Sequence, residues 1–199
     1  MTPSNLCPAH DNLILDASVL INVLGTGRPE LVLQALSRRM LMDEVALREV
    51  TVDPFTGKSP AALLDHLRSS GLIEVISMDE AAYEFFIGFT GADPPDDLDD
   101  GEAATLAQAA CHGFVAVIDE KKATRIAGVS DPQVEILTSM DILTAPEMLL
   151  QHGQETLLEL LFLALRNARM RVPHNSLSWV IDALGRSRVE ECPSLGARR

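Results

Sequence analysis

Short apolar runs alternate with helical patterns along the first three-quarters of this 199-residue chain. Four runs have the length and composition of buried strands: NLIL before Asp16, LIEVI at 72–76, FVAVI at 114–118 and QVEIL at 133–137. The segments between them carry apolar residues at helical spacing, so we expect helices to join consecutive strands by crossover connections. This order predicts an α/β fold of three layers, α/β/α, with a mostly parallel central sheet.

The alternation of strands and helices ends near residue 150. Beyond it the pattern is helical only, in QETLLELLFLALRNARM and SLSWVIDALG. We therefore predict an α/β domain over 1–150 and a helical extension over 151–199 that packs on it, with a frayed tail from Arg186. The leucine-rich helices of the extension either cover the sheet or form a homodimer contact, and the sequence leaves both roles open.

Local signals predict where individual elements begin and end. Ser18 is expected to cap the first helix, and Thr144 to cap a helix that begins TAPE. The segments PELVLQALSRR and MDEVALREV, the second at 42–50, are both predicted to be helical. A polar loop, TGADPPDDLDD at 90–100, is expected to lead into the helix GEAATLAQAACHG.

Charge and cysteine content exclude several classes of protein. Acidic residues number 29 against 16 lysines and arginines, so a phosphate-bearing substrate would need metal ions or a local basic patch to approach the chain. The three cysteines are widely spaced and form no CxxC pair, which disfavours a disulfide framework or structural zinc and favours the cytoplasm. The longest apolar stretch, at 157–165, is too short to span a membrane and contains Glu159.

Two predicted strands end on an acid, Asp16 and Asp119. Ligands of open parallel sheets bind beyond the carboxyl ends of the strands, although a single acid there is also an ordinary helix cap. No lysine or arginine lies within ten positions of Asp16. Because clustered carboxylates repel each other unless a positive charge lies between them, the pattern favours a site for Mg²⁺ or Mn²⁺, which prefer oxygen ligands.

Two further acidic segments are candidates for the same site. LDDGEAATLAQA places Asp99, Asp100 and Glu102 at the start of a helix, and Asp99 and Glu102 share a helical face. Acids at a helix N-terminus are also favoured by the helix dipole alone. Glu49 lies among apolar neighbours in VALREV, where an exposed helical position explains it nearly as well.

Taken in order, LILDASVLIN, VALREV, LDDGEAATLAQA and VAVIDEKKATRIA resemble the PIN-domain family. These are metal-dependent ribonucleases that include toxins of bacterial and archaeal toxin–antitoxin pairs. The resemblance covers roughly residues 12–150. It implies a PIN-like fold, a Mg²⁺ or Mn²⁺ cofactor, an RNA substrate and an antitoxin protein as partner.

The resemblance also implies roles for single residues. The catalytic acids would be Asp16, Glu49, Glu102 and Asp119. The metal ligands would be Asp16, Asp99, Glu102 and Asp119. The second acid has a competitor in Glu44, because MLMDEVALREV lacks the proline that often opens this helix in the family.

Polar and basic residues near these acids are the candidates for substrate binding. Ser18 would be a polar neighbour of the first ligand, and Lys121, Lys122 and Arg125 would bind RNA phosphates at the rim. Arg166, Arg169 and Arg171 form a second basic cluster, which the sequence cannot place relative to the acids. Asn22 lies one turn past Ser18, and helix packing is its favoured role.

Three functions are compatible with these residues. The leading one is a metal-dependent endoribonuclease, in the role of a toxin. The second is a PIN-like module that binds protein or RNA without catalysis. A phospho-receiver domain fits less well, because it needs an acidic pair at the end of the first strand, whereas Asp16 stands alone before Ala17.

Overall fold

The computed structural model describes residues 2–7, 9–91, 97–130 and 133–196. Its centre is a five-stranded sheet in which every strand pair is parallel, with the order β3-β2-β1-β4-β5. The strands are β1 (Asn12–Leu15), β2 (Arg39–Asp43), β3 (Glu74–Ile76), β4 (Val115–Val117) and β5 (Ile136–Leu137). The prediction of an α/β fold with a mostly parallel sheet is confirmed.

Side chains of β1 point alternately into two hydrophobic cores, one on each face of the sheet. Leu13 and Leu15 belong to the larger core, and Ile14 belongs to the smaller one. Successive side chains of a strand face opposite sides, so a strand buried on both faces needs an unbroken apolar run. This is why NLIL contains no alternation of apolar and polar residues.

The described residues form eleven α-helices and one short 3₁₀ helix, His174–Ser176. The α-helices are α1 (Ala17–Gly25), α2 (Pro29–Leu36), α3 (Glu44–Glu49), α4 (Ala61–Ser69), α5 (Glu80–Thr90), α6 (Asp100–His112), α7 (Lys121–Ser130), α8 (Ser139–Leu143), α9 (Pro146–Asn167), α10 (Leu177–Glu190) and α11 (Pro193–Gly196). The larger core receives side chains from α1, α2, α8 and α9, and the smaller core from α5, α6 and α7. The sheet therefore lies between two helical layers.

Strand β2 was not predicted, and the interpretation of 42–50 as one helix is wrong at its start. Met40, Leu41 and Met42 are buried in the sheet between β1 and β3, and helix α3 begins only at Glu44. Methionine and leucine have high helix propensity, so the local sequence favours a helix. Burial on both faces of the sheet overrides that preference.

Two predicted helix caps are also wrong. Asp16 caps α1, because its side chain accepts a hydrogen bond from the backbone N–H of Ser18 at 3.1 Å. Thr144 follows the end of α8, and α9 begins after Ala145 with Pro146 in its first position. Aspartate and serine are equally good caps, so neighbouring candidates cannot be separated by residue type.

The C-terminal helices pack against the sheet. Leu157, Leu161 and Leu165 of α9 are fully buried in the larger core together with Leu13 of β1. The predicted domain limit at residue 150 lies within α9, so the division of the chain into two parts stays a prediction. Beyond Arg186 the chain is helical in α10 as far as Glu190 and again in α11 (Pro193–Gly196). Residues 92–96 of the predicted polar loop and 197–199 of the tail lie outside the described residues.

None of the helices in the described part of the chain is long and apolar enough to cross a membrane.

Candidate metal centre

Six carboxylates from four segments of the chain line one cleft of about 350 Å³ at the carboxyl ends of β1 and β4. We call it the acidic cleft, and its carboxylates are those of Asp16, Glu49, Asp99, Glu102, Asp119 and Glu120. Strands β1 and β4 are neighbours, and the backbone N–H of Asp16 donates to the carbonyl of Val117 at 3.0 Å. The structure therefore brings the two strand-end acids to the same edge of the sheet.

Asp16 and Asp119 are held by hydrogen bonds from short polar side chains. Ser18 donates both its backbone N–H and its hydroxyl to Asp16, which is only 4% exposed. Asp119 accepts from the Ser139 backbone N–H at 2.8 Å, the Ser139 hydroxyl at 2.6 Å and the Asn22 amide at 2.7 Å. Burial raises the pKa of both carboxyls, and these hydrogen bonds act against that rise.

Glu102 and Asp99 lie in the first turn of α6. Asp99 caps this helix by accepting from the backbone N–H of Glu102 at 2.9 Å. Glu102 is 7% exposed, and burial together with the negative charges of Asp99 and Asp16 raises its pKa to about 7. Its Oε2 atom is buried without a hydrogen-bond partner among the described residues. Glu102 thus presents an oxygen that no described group satisfies.

Glu49, and not Glu44, is the acid that α3 brings to the cleft. The Glu49 carboxylate lies against Gly101 of α6 and accepts a hydrogen bond from its backbone N–H. Burial, followed by the charges of Asp99 and Asp16, raises the pKa of Glu49. Glu44 instead forms an ion pair with Arg48, one turn away, at 3.3 Å.

Replacing Gly101 with alanine is expected to displace Glu49 without unfolding the protein. A Cβ at this position would overlap the Glu49 carboxyl group, which sits at the end of a flexible side chain and can move away. Since alanine favours a helix more than glycine does, stability should stay the same or rise slightly. If the cleft cleaves RNA, as the resemblance to PIN ribonucleases implies, Gly101→Ala should lower that cleavage by about tenfold or more, as loss of a general acid or base does.

The matched control for this change is Gly88→Ala. Gly88 lies in α5 with no atom within 4 Å of the added Cβ, so any RNA cleavage should stay at the wild-type rate. Equal cleavage by Gly101→Ala and the wild type would remove Glu49 from the predicted catalytic residues.

The three basic residues predicted to bind substrate lie beside the acidic cleft, at the start of α7. Lys121 and Arg125 line a second pocket that adjoins the cleft at Asp119. Lys122 donates to the backbone carbonyl of Asp97 at 2.6 Å, and its charge lowers the pKa of Glu102. None of these three side chains lines the acidic cleft itself.

Two arginines that the sequence could not place do line the cleft. Arg169 and Arg171 belong to the segment 168–172 after α9, which we call the arginine segment. Met170 and Val172 are buried, so exposed and buried residues alternate along it. Arg169 has a left-handed backbone conformation, with φ of 56°, so the segment is not a regular strand. The alternation of basic and apolar residues in R-M-R-V is still the signal that could have placed both arginines on the open side.

The arginine segment is fixed to the first helix. Asn167 donates its side-chain amide to the carbonyl of Gly25 at 2.8 Å. A Cβ at Gly25 would lie 2.8 Å from the Cβ of Ala168, so only glycine allows this approach. At the rim, Arg171 forms an ion pair with Glu120, the residue after Asp119.

Asn22 and Ser139 were also missed as site residues. Helix packing was the favoured role of Asn22, but its amide bonds Asp119 and the Ser139 hydroxyl. Its spacing of one turn from Ser18 was the available signal. Ser139 follows β5, and nothing in the sequence near it indicates a partner 20 residues earlier.

The donor set fits a hard divalent cation. The cleft offers six carboxylates, and within the described ranges only Glu120 forms an ion pair with a lysine or arginine, namely Arg171. Clustered carboxylates with raised pKa values are costly unless a cation compensates them. Carboxylate oxygens are the ligands that Mg²⁺ and Mn²⁺ prefer.

The fold and the site define the class of protein: a parallel α/β domain with an acidic cleft at the carboxyl ends of its strands. A family model described as a PIN domain (DUF3368) matches residues 12–186. The chain therefore belongs to the PIN-domain family, whose members are typically metal-dependent nucleases that bind Mg²⁺ or Mn²⁺. No curated protein matches the chain.

Proposed function

We propose that this protein is a Mg²⁺- or Mn²⁺-dependent endoribonuclease that hydrolyses phosphodiester bonds in RNA. The observation that carries the proposal is the acidic cleft, where carboxylates from four distant segments lie together and only Glu120, at the rim, forms an ion pair with an arginine or lysine of the described residues. Membership of the PIN-domain family supports the reaction class. The RNA substrate rests on the resemblance of the four acidic segments to PIN ribonucleases.

The residues that would hold the metal are Asp16, Glu102 and Asp119, with Asp99 beside them. When bound, the metal supplies an activated water and stabilises the leaving oxygen of the phosphodiester. Ser18 orients the carboxylate of Asp16, and Asn22 and Ser139 orient that of Asp119. Glu102 has to lose its proton before it can bind a cation, because its pKa is near 7.

Glu49 is the candidate proton acceptor. It is more exposed than Asp16 and Glu102, so its carboxylate can reach both solvent and a bound substrate. Its raised pKa makes it a better base than an ordinary glutamate at neutral pH.

Arg169 and Arg171 are the proposed phosphate contacts at the cleft. Within the described residues they offer the only arginine side chains that line the cleft. Lys121 and Arg125, in the adjoining pocket, extend this basic surface past Arg171. The chain carries a formal net charge of −13, so such a local surface is what lets a polyanion approach.

Replacing Arg169 or Arg171 with alanine should weaken RNA binding and reduce its salt dependence. Each lost phosphate contact lowers the slope of log affinity against log salt by about 0.7 to 1. Binding of a single-stranded RNA to these variants, measured in an Asp16→Asn background that cannot cleave it, checks this. Arg186, which pairs with Glu190 on α10, provides the control, and Arg186→Ala should leave the slope unchanged. Equal slopes in all variants would contradict the proposed contacts.

The function is tested by the variant Asp16→Asn. Asparagine caps a helix as well as aspartate does, so α1 should stay intact while one metal ligand is lost. We expect wild type to cleave single-stranded RNA with Mn²⁺ and to unfold at a higher temperature when Mn²⁺ is added, since a ligand of the native state stabilises it by about 2.7 kcal/mol at a hundred times its Kd. Both effects should be lost in Asp16→Asn.

The two results together separate the candidate functions. Equal cleavage by wild type and Asp16→Asn would overturn the nuclease assignment. Stabilisation by Mn²⁺ without cleavage would indicate that the protein binds metal but is not a nuclease. The absence of both effects would favour the second candidate function, a PIN-like module that binds protein or RNA without catalysis.

We also propose an antitoxin protein as partner, in the cytoplasm. A segment of the antitoxin would cover the acidic cleft and place a basic side chain where the metal ion otherwise binds. The reason is that the carboxylates of the cleft favour positive charge. A homodimer stays a prediction, and sedimentation of the pure chain tests it.

A further inference from the structure

A second cluster of metal-ligand side chains lies at the far end of α6 from the acidic cleft. The carboxylate of Asp79, the thiol of Cys111 and the imidazole of His112 offer donor atoms that all lie within 4.8 Å of one another. Cys111 and His112 are the last two residues of α6, whereas Glu102 lies in its first turn. At 1.5 Å per residue the helix separates the two places by roughly 15 Å. The cluster is therefore not part of the acidic cleft.

Each of the three side chains has a donor atom directed at the shared space. Asp79 caps α5 with Oδ1, which accepts from the backbone N–H of Ala82 at 2.8 Å. Its Oδ2 faces Nε2 of His112 at 3.6 Å, which is beyond hydrogen-bond distance. Cys111 is a free thiol. Oδ1 of Asp79 thus caps α5, and Oδ2 remains available on the side of the His112 imidazole.

The distances suit a tetrahedral transition-metal ion. Ligand bonds of about 2.0 to 2.3 Å place neighbouring donors of a tetrahedral zinc site roughly 3.3 to 3.8 Å apart. The separation of 3.6 Å between Asp79 and His112 already lies in this range. The other two pairs of donor atoms lie within 4.8 Å and have to approach by up to about 1–1.5 Å to reach tetrahedral spacing. The side chains of Asp79 and His112 are 57% and 33% exposed, so both have room to turn.

We propose that Asp79, Cys111 and His112 form a binding site for a borderline divalent transition metal such as Zn²⁺, with water as the fourth ligand. A mixed thiolate, imidazole and carboxylate set selects Zn²⁺ over Mg²⁺, which prefers oxygen ligands only. The C-terminus of α6 adds a partial negative charge that favours a cation there. On binding, the thiol gives its proton to solvent and its sulfur bonds the metal.

A metal at this site would connect the turn before α5 to the end of α6. These two helices pack along each other, and α6 carries Glu102 at its other end. The ion would therefore stabilise the α5–α6 pair. The inference does not depend on nuclease activity, because it rests on residues outside the acidic cleft.

Cobalt spectroscopy on the full chain tests the proposal. Co²⁺ is titrated in the presence of excess Mg²⁺, which competes for the carboxylates of the acidic cleft. We expect a thiolate-to-cobalt charge-transfer band and the intense visible bands of a tetrahedral site, reaching one Co²⁺ per chain. Zn²⁺ should abolish the bands by displacement.

Variants assign the bands to the three residues. Cys111→Ser should remove the charge-transfer band, and His112→Gln should weaken Co²⁺ binding at least about tenfold. Asp79→Asn keeps the oxygen that caps α5, so it should weaken binding without loss of helix. Cys7 is the matched control, because it is also a free and partly exposed thiol, and Cys7→Ser should leave the spectrum unchanged.

The proposal is overturned by any of three results. These are no charge-transfer band in the wild type, a band that persists in Cys111→Ser, or a band that Cys7→Ser removes. Circular dichroism of each variant confirms that it folds, and protection of Cys111 from alkylation by Zn²⁺ gives a second measurement in the wild type itself. Alkylation of Cys111 at the same rate with and without Zn²⁺ would count against the site.

Discussion

Glu102→Gln is expected to abolish metal-dependent RNA cleavage and, at the same time, to make the metal-free protein more stable at pH 8. Loss of an oxygen ligand that carries charge should lower cleavage by about 10²-fold or more, since even residues that only support a ligand cost 10- to 100-fold. The gain in stability also comes from removing the charge. Glutamine has nearly the shape of glutamate but carries no charge that burial removes from water or that the neighbouring carboxylates repel.

The sign of the pH effect follows from the raised pKa of Glu102. The folded protein holds this proton up to pH about 7, whereas the unfolded chain loses it near the ordinary value of 4.5. Stability of the metal-free protein therefore falls as the pH rises from about 4.5 to 7, and the full penalty is present above pH 7. Because solvent in the cleft screens part of the repulsion, we expect a penalty of about 1–2 kcal/mol.

Urea unfolding with a chelator present, at several values between pH 5 and pH 8, measures this penalty. Wild type should lose stability over the range, and Glu102→Gln should lose much less. Asp16 and Asp119 also have raised pKa values, so part of the slope remains in the variant. An unchanged slope, or a variant less stable than wild type at pH 8, would show that the Glu102 carboxyl is not under the strain described.

Leu161→Ala is expected to destabilise the whole protein, although it lies beyond the predicted α/β domain. Leu161 is 0% exposed and packs in the larger core with side chains of β1, α1 and α2. Leucine-to-alanine changes at such positions cost about 2–5 kcal/mol. Since single domains commonly have 5–15 kcal/mol of stability, this is a large share of the total.

The same helix supplies the control. Leu150, also in α9, is 83% exposed, and Leu150→Ala should change the free energy of unfolding by no more than about 0.5 kcal/mol. A chain that ends at residue 150 would lack the buried leucines of α9, so we expect it not to unfold cooperatively. Cooperative unfolding of that shorter chain would show that the α/β part folds alone.

The sequence by itself determined the fold class and most of the acidic cleft. Strands separated by helices require crossovers, and crossovers require a parallel sheet. In a parallel sheet, acids that directly follow the strands lie at the same edge. The sequence could therefore predict that Asp16 and Asp119 lie close together, although they are over a hundred residues apart. Asp99 and Glu102 follow from helical spacing, which is equally local.

Asp43 shows that an acid at the end of a parallel strand does not always belong to the site. This residue ends β2 at the same edge, yet its carboxylate is used by the Val45 backbone N–H and the Gln108 amide and does not line the cleft. A position at the end of a strand therefore predicts which edge of the sheet an acid lies at. Whether its carboxylate oxygens are free to bind a ligand depends on the hydrogen bonds that they accept.

Only the tertiary structure decided which other groups meet these acids. It brings Glu49 and not Glu44 to the cleft, against Gly101, and it places Asn22 and Ser139 within hydrogen-bond distance of Asp119. It also brings Arg169 and Arg171 to the lining of the cleft. It also set Asp79 beside Cys111 and His112, which no spacing in the sequence indicates. The physical reason is the same in each case: propensity and periodicity act over a few residues, whereas these contacts depend on how helices and loops pack across the sheet.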